Sequence, residues 1–271
     1  MPAFSTTEHL LTNDAGREYR LRHWRPANVA PETHLPTLLF LDGHWLDDTL
    51  SCALDTVDAN TVQIASLGYR LADRSILAPW RAYDYTPAGP QGLLSDPRKA
   101  QWPCGGADAL LDFLREQVLP LLTHAATAQS PAAVSLFGHS YAGLFSLYSW
   151  IKQPAMFNRF YSASPSLWWY WPHMLAALQE RHPGELLDIG NATPVHMLVG
   201  SDERWRPLPA VAGATREFGV STVPFAQRFH AALRASGHPD NSLEILPGLA
   251  HGPMLHSAVR NTLKHFLAMT A

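Results

Sequence analysis

The sequence predicts an α/β fold in which a mostly parallel central sheet carries helices on both faces and an antiparallel hairpin at its N-terminus. Three observations support this. Short apolar runs of strand length alternate with stretches whose apolar residues recur at helical spacing, the order expected of β-α units built on a parallel sheet. Several of those runs are apolar without alternation, which suits strands covered on both faces. A glycine-bounded serine, in Gly138-His-Ser140-Tyr-Ala-Gly143, stands where one such run passes into an apolar helix.

The segments Thr6 to Leu11 and Arg17 to Trp24 flank Thr12-Asn-Asp-Ala-Gly16, a turn-rich stretch that reads as the bend of the opening hairpin. Leu35 to Leu41 is a continuous apolar run ending in Asp42-Gly43, as a central strand would be. From Leu50, the residues Ala53, Leu54 and Val57 continue a helical stripe. Val62 to Leu67 reads as another buried strand, and the stretch from there to Gly105, rich in Pro, Gly, Arg and aromatics, reads as irregular chain of the kind that carries function. Leu110, Leu111, Leu114, Val118, Leu121 and Leu122 predict a helix of several turns. Ala133 to Phe137 predicts a strand that leads into the serine motif and a helix through Ile151. Phe160 to Ala163 and Pro194 to Val199 are further strands, and Glu203 to Val220 reads as irregular. Ser221 offers an N-cap, Pro224 a first turn and Gly237 a stop for a helix striped by Phe225, Phe229 and Leu233. Ser242 to Leu246 gives a last strand, and Leu255, Val259, Leu263 and Phe266 a last helix.

No repeat or interdomain linker interrupts this alternation, so one domain over residues 1–271 is expected. A composition of 46% hydrophobic and 16% charged residues excludes disorder. A net charge of -3 leaves no basic surface for a nucleic-acid backbone, so nucleic acid is not an expected partner. Cys52 and Cys104 lack metal-ligand spacing. The start of the chain has no basic and apolar leader and no run reaches membrane-spanning length, which predicts a soluble cytoplasmic protein with no membrane partner. Neither a dinucleotide nor a nucleotide phosphate loop is present, so no cofactor is expected.

The serine motif points to nucleophilic catalysis. A nucleophile elbow joins a strand to a helix so sharply that small residues must flank the serine two positions away on either side. Gly138 meets that demand before Ser140 and Ala142 after it, with Gly143 just beyond. An unassisted serine is a weak nucleophile, so a base must follow a late strand. Of the 14 histidines, His251 has that position, in Pro247-Gly-Leu-Ala-His251-Gly-Pro-Met254. The acid that orients the base falls between serine and histidine in chain order. Glu203, three residues after the strand-ending Gly200, is preferred to its neighbour Asp202, and a Ser-His dyad without an acid is the remaining arrangement. Donors for the developing oxyanion are expected from the backbone N-H of Tyr141 and from Gly43 or His44 after the early central strand. The nearby Asp42, His44, Asp47 and Asp48 also resemble metal ligands, but they fall where the oxyanion loop is required, and no metal is expected.

Phe40-Leu-Asp-Gly43, Arg81-Ala-Tyr-Asp-Tyr-Thr-Pro87, Gly105-Gly-Ala-Asp-Ala-Leu-Leu-Asp-Phe-Leu114, the serine motif, Ala163-Ser-Pro-Ser-Leu-Trp-Trp169 and His251-Gly252 together resemble the esterase family of enterochelin and related trilactone siderophore hydrolases, esterase D-like proteins. The resemblance implies an α/β-hydrolase with Ser140 as nucleophile and His251 as base, and Arg81 at the active-site mouth. Ala142 and His44-Trp45 stand where the family often has glycine and asparagine. The substrate so implied is a small-molecule ester, with an iron-siderophore complex as the candidate. A general carboxylesterase or thioesterase on small acyl groups is the alternative, and a non-catalytic binding module of the same fold is a third reading. Trp168 and Trp169 read either as core packing or as an aromatic wall for a planar acyl group. Arg81 and Arg204 are candidate substrate contacts at the carboxyl edge of the sheet.

Overall fold

The computed structural model describes residues 4–270 apart from 32, 56, 58–60, 72, 90–91, 124–132, 172, 181–192, 205, 208–218, 221 and 239. The strands are β1 (Phe4–Thr12), β2 (Glu18–Pro26), β3 (Thr37–Leu41), β4 (Gln63–Tyr69), β5 (Leu94–Asp96), β6 (Lys99–Cys104), β7 (Val134–His139), β8 (Arg159–Ala163), β9 (Val195–Gly200), β10 (Arg206–Pro207), β11 (Gly219–Val220) and β12 (Asn241–Leu246). The helices are α1 (Gly43–Leu54), α2 (Arg74–Asp84), α3 (Ala107–Phe113), α4 (Leu119–Thr123), α5 (Tyr141–Lys152), α6 (His173–Glu180), α7 (Thr222–Ala235) and α8 (His251–Thr270).

Eight strands form one sheet in the order β1-β2-β4-β3-β7-β8-β9-β12. Pairing is antiparallel from β1 through β2 to β4 and parallel from β4 to β12. The opening hairpin and the parallel sheet therefore appear as the sequence reads. All five residues of β3 are buried. Successive residues point to opposite faces, so Leu39 and Leu41 join one core while Leu38 and Phe40 join the other. The second core is closed by α1 and α8 through Leu46, Leu50, Met254 and Val259. Helix α5 lies against the first core and is apolar almost all round, with 11 buried residues, as a helix enclosed on every side must be. No helix among the described residues is long and apolar enough to cross a membrane.

Three elements differ from the sequence reading. The stretch between β4 and Gly105 is not irregular throughout: it holds α2 and the β5-β6 hairpin. Asp73 caps α2 by accepting the Ser75 N-H at 2.8 Å, and Pro79 inside it hides the helix from pattern reading. Helix α1 begins at Gly43, well before Leu50, because Leu46, Leu50 and Leu54 form the buried stripe. The helix after Gly106 is divided by a π-helical turn at Leu114–Val118. The predicted N-cap Ser221 lies outside the described residues, as does most of the stretch from Glu203 to Val220.

Candidate active site

Strands β3, β7 and β8 are neighbours and parallel, so their carboxyl ends open at one edge of the sheet. Each is followed directly by a non-glycine residue with positive φ: Asp42 at 63°, Ser140 at 62° and Ser164 at 44°. Such backbone is costly for residues with a Cβ and persists only where surroundings enforce it. At Ser140 the cause is visible. A Cβ on Gly138 would come within 2.0 Å of the Ala142 carbonyl oxygen, and one on Gly143 within 2.7 Å of the Ala163 oxygen. The two close approaches around the serine thus fall on glycines, and the methyl group of Ala142 fits in a buried position.

The Ser140 hydroxyl lies 3.0 Å from His251 Nε2, and His251 Nδ1 lies 2.6 Å from Glu203 Oε2. Glu203 is held in turn by the Gly200 N-H at 2.9 Å and by the Ser164 hydroxyl, both on Oε1. Burial raises the pKa of this carboxyl, but the bonds from His251, Ser164 and Gly200 outweigh it and hold the group below its ordinary value. Asp202, the alternative acid, is exposed and takes the Ser201 hydroxyl at 3.0 Å, so the carboxylate that reaches His251 belongs to Glu203. His251 opens α8 and packs against His139, ring centroids 4.8 Å apart. The His139 ring is buried, which pushes its pKa well below the ordinary value and keeps it neutral beside His251. Ser166 Oγ approaches Ser140 Oγ to 3.3 Å.

The residues expected to supply oxyanion donors open the helices that follow β3 and β7. Tyr141 is the first residue of α5, and Gly43 and His44 form the first turn of α1 instead of a loop. First-turn N-H groups lack intrahelical partners, so this placement keeps them available as donors. The His44 imidazole is buried, which lowers its pKa to about 4. Asp47 meets Arg20 at 2.6 Å and the Ser66 hydroxyl at 2.5 Å, so its carboxylate is spent on structure.

One sequence reading needs correction, and one left open is decided. Arg81 lies in α2 and is not a free cation at a mouth: Nε and Nη2 bind Asp42 at 2.8 and 2.7 Å, and only 11% of the side chain is exposed. Trp169 is fully buried and packs as core, whereas Trp168 keeps 9% exposure beside Tyr141. Arg204 is exposed, with Nε 3.5 Å from the Ser201 carbonyl. Sequence reading missed Ser164, whose hydroxyl supports Glu203, and the Asp96-Arg98 pair packed on Tyr141. A serine-rich string after β8 and an Asp-Pro-Arg turn were the available signals, and neither carries periodicity.

Known proteins similar to this chain are esterases and hydrolases. The Esterase family model matches residues 12–212. A siderophore enterobactin esterase of Emericella nidulans is 34% identical over 167 residues, 55% of this chain and 54% of its own length, so the match spans about half of that relative. An apo-salmochelin esterase of Escherichia coli O6:H1 is 28% identical over 258 residues, 92% of this chain and 75% of that one. Among solved structures, the siderophore hydrolase EstA from Aspergillus nidulans superposes with a TM-score of 0.77 at 22% identity, covering 99% of this chain and 95% of its own, which supports an α/β-hydrolase fold. With its family model spanning most of the sheet and the serine elbow within it, the chain belongs to the Esterase family.

Proposed function

We propose that the protein is a serine ester hydrolase that cleaves siderophore esters through an acyl-enzyme on Ser140. The observation that carries the reading is the unbroken chain from Ser140 through His251 to Glu203, built on a strained elbow. In this reading His251 Nε2 takes the hydroxyl proton as Ser140 Oγ attacks the ester carbonyl, then donates it to the leaving alkoxide. Water enters next, gives a proton to His251, attacks the acyl carbon and releases the acid, with the proton returning to Ser140. Glu203 fixes the Nδ1-H tautomer and stabilises the imidazolium, and Tyr141 with Gly43 or His44 donates N-H bonds to the oxyanion. The siderophore substrate rests on the relatives named enterobactin and salmochelin esterases.

Fluorophosphonate labelling followed by peptide mapping tests the chemistry, because an activated elbow serine reacts where ordinary serines do not. An adduct on Ser140 that is lost in Ser140→Ala is expected. Labelling elsewhere, or none, rejects the mechanism and leaves a binding module of this fold. Turnover of a catecholate trilactone against short p-nitrophenyl esters then tests the substrate. An enzyme that hydrolyses only the simple esters is a general carboxylesterase.

A further inference from the structure

Arg98 occupies the turn between β5 and β6 and, like Arg81, grips a buried aspartate through Nε and Nη2, but its side chain is more exposed. Its Nε and Nη2 meet the Asp96 carboxylate at 2.9 and 2.7 Å. The same carboxylate accepts the Arg98 backbone N-H at 2.7 Å and the Tyr141 hydroxyl at 2.8 Å. Asp96 has no exposed side-chain surface, whereas 31% of the Arg98 side chain is exposed. The part of this ion pair turned to solvent is therefore the cation. One edge of the guanidinium is occupied by Asp96, and among the described residues Nη1 has no hydrogen-bond partner.

The surroundings are aromatic and belong to two segments that also reach the nucleophile. Arg98 Cζ stands 4.2 Å from the Tyr141 ring centroid and 5.8 Å from that of Trp168. Tyr141 follows Ser140 directly, and Trp168 comes two residues after Ser166, whose hydroxyl is 3.3 Å from that of Ser140. A guanidinium edge rimmed by aromatic faces matches a planar ring that carries negative oxygens.

We propose that Arg98 is a specificity-determining residue whose outward edge takes a carboxylate or catecholate oxygen on a planar acyl group while Trp168 lies along the ring. This rests on the ester-hydrolase reading for the position of the reacting carbonyl at Ser140. Arg81 makes the same two-pronged contact with Asp42 but leaves only 11% of its side chain exposed, against 31% for Arg98.

Equilibrium binding to the Ser140→Ala protein, followed by calorimetry, tests the assignment apart from turnover. The probes are 2,3-dihydroxybenzoate and neutral benzamide. Ser140→Ala is expected to prefer the anion. Adding Arg98→Gln should weaken anion binding by roughly tenfold to a hundredfold, the loss of one charge-assisted contact, and leave benzamide binding unchanged. Arg98→Lys keeps the charge but not the planar fork, so the preference should fall by about tenfold or less, and this variant decides if the glutamine variant does not fold. An unchanged preference in both variants, an equal loss for both probes, or no preference in the parent overturns the proposal. Labelling of Ser140 together with any of those results leaves the hydrolase reading standing. Absence of labelling removes the hydrolase reading, and with it the role proposed for Arg98.

Discussion

Arg81 meets Asp42 edge to edge, Nε to Oδ1 at 2.8 Å and Nη2 to Oδ2 at 2.7 Å, and the Tyr85 hydroxyl adds a third bond to the same carboxylate at 3.1 Å. Asp42 is the left-handed residue that turns β3 into α1, so the pair fixes the direction in which the first turn of α1 presents its N-H groups. Arg81 also stacks over Trp45, Cζ 4.7 Å from the ring centroid.

Arg81→Ala should therefore act on the fold of this turn and not on substrate choice. Removing one partner of a buried pair costs about 3–5 kcal/mol, which corresponds to a drop on the order of 10 °C in unfolding midpoint. Turnover of a charged trilactone and of a small neutral ester should fall together. Calorimetry and parallel assays check this, and a loss confined to the trilactone would restore Arg81 as a substrate contact.

The elbow gives a second expectation. Gly138→Ala places a Cβ 2.0 Å from the Ala142 carbonyl, a backbone atom that cannot move without unmaking the turn. Loss of soluble protein, or of fluorophosphonate labelling in whatever folds, is expected. Ala142→Gly should keep activity and cost about 1 kcal/mol, the usual penalty of glycine in a helix. A well-labelled Gly138→Ala protein would show that the elbow tolerates the contact by shifting.

Much of this was legible in the sequence because the signals were local. The apolar run of β3 and the Gly-x-Ser string between strand and helix need no knowledge of distant residues. The choice of Glu203 over Asp202 came from its spacing after a strand end. The contact with His251 adds what spacing lacks, a direction: the turn that bonds Glu203 N-H to the Gly200 carbonyl at 3.1 Å aims Glu203 inward and leaves Asp202 outside. The Arg81 pairing is invisible in the sequence because its partner lies 39 residues away, and an ion pair across that separation leaves no trace in composition or periodicity. The sequence leaves Trp169 open between two readings for a related reason, since a run of tryptophans reads alike whether it lines a core or a cleft, and the fold settles it as core.

The acid can be tested by exchange. Glu203→Gln keeps the shape but removes the charge that orients His251 and supports its protonated form, a change that can cost up to about 10⁴ in rate. Asp202→Asn should remain within a few-fold of wild type, because that carboxylate touches only Ser201 among the described contacts. Steady-state rates on one chromogenic ester decide the order. Equal and small effects would favour a Ser140-His251 dyad.

The depressed pKa of Glu203 also makes stability depend on pH, with a definite sign. Burial works against its charge, yet the bonds from His251, Ser164 and Gly200 win, so the folded protein binds the proton less tightly than the unfolded chain, whose carboxyl sits near 4.5. A depressed folded value contributes stability that is fully present above the unfolded value and is lost as pH falls through the folded one. The difference in unfolding midpoint between wild type and Glu203→Gln should then be widest near neutral pH and shrink once pH drops below about 4.5. The difference between the two curves, and not the wild-type curve alone, isolates Glu203 from the acid response common to both proteins. Thermal unfolding of the pair across an acid series measures it. A gap that stays constant down to the acid limit would mean that Glu203 is not held ionised by its three donors, and the charge on which its orienting role depends would be absent.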